Sequence, residues 1–174
     1  MASNLEFIQR IDSGGLVSNF DLQNIFGKDF QQYEIHCNDL NGGGNGGYVG
    51  LRFYDSSNSL ISGSEYRYGG RQLKGYGSFD NTWLSGASKQ SQIAPIAVGI
   101  NDDNNNGGWK VMVFSADDSS AHTFVLASSA TVYDSGLDGN KTMGVHQSAE
   151  AITGIRFVNQ SITRHTIANI YGVK

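Results

Sequence analysis

A chain of 174 residues and 18.8 kDa has the length of one domain and is long enough to bury a core without disulfide or metal support. Charged side chains make up 16% of it, and the 12 basic against 16 acidic groups leave a net charge of −4 with no basic block, which argues against nucleic-acid binding. One cysteine allows no internal disulfide, residues 1–7 lack the basic-then-apolar order of a secretory signal, and the longest near-apolar run, Ile93 to Ile100, is far short of the ~20 residues of a membrane span, so the expectation is a soluble protein made in a cytoplasm, with no membrane insertion.

Along the chain, apolar residues recur at a spacing of two in short windows, and helical spacing is not sustained. Leu5, Phe7 and Ile11 alternate first; residues 1–17 read either as an N-terminal arm that adds a strand to a partner or as the first strand of the domain. Tyr33, Ile35 and Cys37 share one face of the next strand, with Glu34, His36 and Asn38 opposite. A glycine-rich connection at 41–47 leads to Val49, Leu51 and Phe53, with Arg52 outward. Gly69 to Gln92 is polar and unpatterned, and is expected to be a long loop contacting a partner. Later strands are expected at Ile96 to Ile100, Trp109 to Ser115, His122 to Ala127, Ile152 to Val158 and Thr166 to Val173. In Val111 to Phe114 both faces are apolar, which places that strand centrally with its second face covered by a loop or another subunit. Glycines at 42–47, 69–70, 107–108 and 136–139 read as corners between strands, and a single proline suits continuous ladders. The whole predicts an all-β, two-sheet sandwich or barrel in one domain.

Patterns that carry chemistry were weighed against plainer readings. Gly42, Gly44 and Gly47 fit G-x-G-x-x-G but run into a strand rather than a helix, so no dinucleotide site is expected. Asp102, Asn104 and Asn106 match the first half of a calcium loop, but the twelfth position is Val113 instead of a bidentate glutamate, and a hairpin loop is the simpler account. The histidines, His36, His122, His146 and His165, show no zinc spacing, and His36 beside Cys37 in a strand points to the opposite face. No serine lies in a nucleophile elbow. These patterns predict no cofactor and no catalytic set, and leave a small hydrolase as the least favoured reading. Tyr66, Tyr68, Tyr76, Trp83 and Trp109 are candidates either for stacking on sugar rings or for filling the core or an interface.

Several segments carry a resemblance. Phe20 to Phe26, Phe30 to Ile35, Leu51 to Phe53 and Tyr66 to Tyr68 resemble the opening of a jelly-roll domain found in bacteriophage tail-fibre and virion-surface proteins. Ile152 to Phe157, Ile162 and Ile167 to Lys174 are similar to that family's closing pair of strands, here ending Tyr171-Gly172-Val173-Lys174. The resemblance spans residues 18–174 and implies an antiparallel jelly-roll β-sandwich on a phage particle surface. It implies no enzymatic activity, a capsid or tail protein as partner, and a homo-oligomer, a trimer by family. Only about 17 residues precede the module, which favours a protein decorating a capsid or tail over a free-standing fibre. The alternative is a carbohydrate-binding module for host surface polysaccharide, with Tyr66, Tyr68, Tyr76 and Trp83 as contacts.

Overall fold

The structure, a computed structural model, describes residues 4–15, 17–27, 29–40, 47–75, 80–100, 107–133, 136–163 and 166–174. These residues form twelve strands and no helix: β1 (Leu5–Asp12), β2 (Val17–Leu22), β3 (Gln32–Leu40), β4 (Gly47–Asp55), β5 (Tyr66–Gly75), β6 (Asp80–Gln90), β7 (Ile93–Ile100), β8 (Gly107–Phe114), β9 (Thr123–Tyr133), β10 (Gly136–His146), β11 (Ile152–Thr163) and β12 (Ile167–Val173). All pairs are antiparallel. They make an eight-stranded sheet, β1-β12-β3-β8-β9-β10-β5-β6, and a four-stranded sheet, β2-β11-β4-β7.

The alternation read from the sequence is what fills the space between the sheets. Tyr33, Ile35 and Cys37 from β3, and Trp109, Val111 and Val113 from β8, meet Leu22, Leu51, Phe53, Ile155 and Phe157 of the smaller sheet, all buried. The Trp109 and Phe157 rings meet edge-on at 4.3 Å between centroids and join the two layers. Cys37 is buried, which pushes its thiol well above the ordinary range, while His36 faces outward as strand parity requires. Beside β3, Ile25 and Phe26 close one end of the core; Phe26 packs on Tyr33 at 4.7 Å, and the Tyr33 hydroxyl accepts the Gly27 N–H at 2.8 Å and donates to the Gly27 carbonyl.

Three expectations change. Residues 69–92 are largely not a loop: β5 and β6 pair with each other, and β5 also pairs with β10, another strand without apolar alternation. Gln72 of β5 and Asp138, Asn140 and Thr142 of β10 put polar groups on the inner side, which is why periodicity missed these two strands. Asp138, Asn140 and Thr142 of β10 are buried; Gln72 donates to Asp138 at 3.0 Å, and the Pro95 carbonyl on β7 accepts from Thr142 at 2.7 Å and Asn140 at 3.2 Å. The eight-stranded sheet is wider than its partner, so β7 covers this end, with the Pro95 carbonyl as acceptor beside the buried Ile93, which lies against Gly144 of β10.

Secondly, Gly69, Gly70 and Gly139 lie inside strands rather than at corners, whereas Gly136 begins β10 and Gly107 and Gly108 begin β8. At Gly70 the reason is close approach: a Cβ would run into the Lys141 carbonyl of the neighbouring strand. The glycine-rich connection at 41–46 lies outside the described residues. Thirdly, Leu5–Asp12 pairs along the chain's own β12, so it is a strand of the sandwich here and occupies the edge of the larger sheet.

Candidate functional site

Of the aromatic candidates, Tyr66 and Trp109 are buried in the core. Tyr66 is fully buried: its hydroxyl accepts the Phe53 N–H at 3.0 Å and donates to the Ile61 carbonyl at 3.1 Å, and burial lifts its pKa above the usual tyrosine range. This is the physical correction to its assignment as a glycan contact, since a ring with no exposed surface cannot stack on a sugar. Tyr68 is half-buried against the core, beneath the Gly86 backbone, where any side chain would strike its ring. Tyr76 and the calcium-loop candidates Asp102, Asn104 and Asn106 lie outside the described residues, as does the Trp83 side chain, although its backbone pairs with Arg71 in β6. Trp109 is core.

The surface with the most unusual chemistry is the outer face of the eight-stranded sheet. Strand registers line up its side chains in rows that run across the strands. One row passes from Phe7 through Tyr171, Glu34, Met112 and Leu126 to Met143. The row beside it holds Val173, Gln32, Phe114, Phe124, Val145 and Arg67. Phe7, Phe124, Leu126 and Met143 are 57%, 51%, 46% and 62% exposed, and Phe7 and Tyr171 meet edge-on at 5.7 Å. Phe114, Phe124, Leu126, Met143, Val145 and Arg67 border a depression of about 510 Å³. Exposed apolar side chains gathered in this way mark contact surfaces more often than singly scattered ones do.

On the other side of the apolar stripe runs a basic row: Arg10, Asn169, His36, Lys110, Ser128, Lys141 and Arg71. Its nearest carboxylate, Glu34, is held by Lys110 Nζ at 2.6 Å and stands 3.0 Å from His36 Nε2. Burial alone would raise the Glu34 pKa; the hydrogen bonds with Lys110 and His36 outweigh it and leave the carboxyl below the usual range. Asp12 lies on the same side at a corner of the sheet, where it accepts from the Gly14 N–H. The face therefore offers an apolar stripe edged with cations, suited to binding. The sequence did carry a signal for it: the doubly apolar run Val111 to Phe114, whose outward half, Met112 and Phe114, lies in the middle of this face. Among the described residues no layer of the chain covers that side.

A second grouping was missed altogether. Glu65, His146 and Glu150 bring ligand atoms within 4.8 Å of one another and are the one cluster among the described residues arranged to hold a metal ion. His146 and Glu150 are four residues apart, but Glu65 lies 81 residues from His146 and arrives only through the pairing of β5 with β10.

No family model and no curated protein matches the chain. Among solved structures it is similar to the CBM2 module of the evolved Dit of Lactobacillus casei BL23 phage J-1, with 8% identity and a TM-score of 0.21 over 87% of this chain and 68% of that one. A superposition so loose carries no argument about fold or function.

Proposed function

We propose that the chain is a non-enzymatic structural protein of a bacteriophage particle surface, acting by docking the outer face of its larger sheet on an acidic, partly apolar surface of a capsid or tail protein. The observation that carries this reading is the uncovered face itself. An apolar stripe across the centre of a sheet is costly to leave in water, at roughly 25 cal/mol per Å² of apolar surface, and a docked partner removes that cost.

Charge selects the kind of partner. The face holds Arg10, Arg67, Arg71, Lys110 and Lys141 against Glu34 and Asp12, while the chain's other positions hold seven basic and fourteen acidic side chains. Two copies meeting face to face would oppose like charges, so the occupant is a different, acidic surface. The trimer implied by the sequence resemblance would use other surfaces.

The jelly-roll reading is supported by the path of the chain. From β2 to β12 it passes repeatedly between the two sheets, and the smaller sheet's order, β2-β11-β4-β7, interleaves early and late strands as two Greek keys do. β8, β9 and β10 then form a meander where a simple jelly roll has one strand.

The test is co-sedimentation with purified particles of the phage that encodes the chain, read by mass spectrometry, for the wild type and for a Leu126→Asp, Lys141→Glu variant. Binding weakened at least 10-fold in the variant is expected. Equal binding, or no association by the wild type, overturns the reading. A dimer in analytical ultracentrifugation that the variant abolishes would assign the face to a second copy instead. Glycan-array binding lost in the variant would favour the carbohydrate alternative.

A further inference from the structure

We propose that Glu65, His146 and Glu150 form a binding site for a first-row divalent transition-metal ion of the Zn²⁺ type, with water completing the coordination. His146 is the last residue of β10 and pairs with Tyr66, the first residue of β5; Glu65 immediately precedes β5, and its carbonyl accepts the Gln147 N–H at 2.9 Å. These pairings lock Glu65 beside the imidazole, and the connection after β10 brings back Glu150 from the other side.

The distances have the size a metal needs. His146 Nε2 lies 3.2 Å from Glu65 Oε2 and 3.6 Å from Glu150 Oε1. Two ligands on one tetrahedral zinc, each at about 2.0–2.2 Å, stand roughly 3.3–3.6 Å apart. The Glu150 contact has the length of an edge of such a polyhedron and the Glu65 contact is about 0.1 Å shorter, while all the ligand atoms lie within 4.8 Å of one another.

The imidazole is committed to this arrangement. His146 is fully buried, with the Tyr66 and Phe53 rings 5.1 and 6.0 Å away, and its Nδ1 has no hydrogen-bond partner among the described residues, so the ring's polar contacts all run through Nε2. A single N–H can serve two facing carboxylates only by division, whereas a divalent ion satisfies both anions and the nitrogen lone pair together. Glu65 and Glu150 are 42% and 35% exposed at their side chains, so ions and water reach the site from solvent. One imidazole with two carboxylates suits zinc and its neighbours better than Ca²⁺ or Mg²⁺, which favour all-oxygen shells.

The site is independent of the docking face and stands or falls separately. The test is calorimetric titration of the full chain with ZnCl₂, repeated with MgCl₂ and CaCl₂, together with visible absorption on adding CoCl₂. One Zn²⁺ per chain is expected, with Co²⁺ giving d–d bands. Glu65→Gln and Glu150→Gln, both at partly exposed positions, should each weaken Zn²⁺ binding at least 10-fold while leaving far-UV circular dichroism and particle binding unchanged. Stoichiometric Zn²⁺ uptake by the double variant, absence of saturable uptake by the wild type, or tighter binding of Mg²⁺ or Ca²⁺ than of Zn²⁺ would overturn the proposal.

Discussion

The sandwich has two outward faces, made from strands of the same alternating kind, and they meet solvent in opposite ways. On the smaller sheet, Arg156 stands between Asp21 and Arg52 in register, and its guanidinium grips Asp21 with two bonds of 2.6 and 2.9 Å. Tyr54 donates a third bond to the same carboxylate at 2.8 Å. On the larger sheet the corresponding central positions are Met112, Leu126 and Met143, with the cations displaced to a flanking row. A face whose central charges, here Asp21 and Arg156, already hold each other has less to offer another molecule. A face with apolar area in the middle and cations at the side gains by being covered. The difference teaches where to look for binding in an all-β chain: alternation alone marks the side turned to the core, and the composition of the other side separates a surface facing water from one facing a partner.

The largest effect tests whether the two faces are back to back on one core. Trp109→Ala removes the ring that joins the layers and should cost about 3–5 kcal/mol in urea unfolding. A cost below ~1 kcal/mol would mean that the sheets do not depend on each other and that the contrast between their outer sides is misplaced.

Next come the faces themselves. Leu126→Asp with Lys141→Glu should weaken particle association at least 10-fold yet change unfolding stability by only about 0.5 kcal/mol, because both side chains are exposed. A core-sized loss of stability would make that face part of the fold instead. Conversely, Arg156→Ala should cost about 0.5–1 kcal/mol, the scale of a partly exposed bidentate pair, and leave particle association unaltered. Reduced association in this variant would break the contrast from the other side.

The smallest effect is a titration in which both faces behave alike. Burial alone would raise the Asp21 pKa, but hydrogen bonds from Arg156 and Tyr54 outweigh it, so Asp21, like Glu34 on the opposite face, lies below its ordinary value. Their stabilising contributions are therefore present at neutral pH and are lost as pH falls through their lowered folded-state values. Asp138 has the opposite sign: burial raises its pKa despite the Gln72 bonds, so its contribution is full in acid and lost as pH rises through the raised value. Thermal unfolding of the wild type, Asp21→Asn, Glu34→Gln and Asp138→Asn between pH 2.5 and 7 resolves the signs. The wild type's advantage over the first two should shrink with acid, and any advantage of Asp138→Asn over the wild type should shrink as well.

Much of the inner architecture was readable from side-chain order. Tyr33, Ile35 and Cys37, and later Val49, Leu51 and Phe53, announced strands because each buried residue is two positions from the next. Separation of His36 from Cys37 followed from the same parity. The reading failed where burial is satisfied by hydrogen bonds instead of hydrocarbon. Asn140 and Thr142 are strand residues bonded to the Pro95 carbonyl and Gln72 and Asp138 are bonded to each other, and in sequence all four are indistinguishable from loop polar residues. The aromatic candidates divided for a related reason: nothing near Tyr66 in the sequence records that Phe53 and Ile61 supply partners for its hydroxyl.

Side-chain order alone was enough for an all-β chain, for the inward residues of most strands and for the apolar second side at Met112 and Phe114. Which strands are neighbours, and so whether exposed residues gather into rows or scatter, came from the packed fold. It placed Leu126 and Met143 beside Met112, and Glu65 beside His146. The physical reason is that a strand's period of two is a local property of the backbone, while pairing between strands joins residues far apart in the chain according to the packing of the whole sandwich.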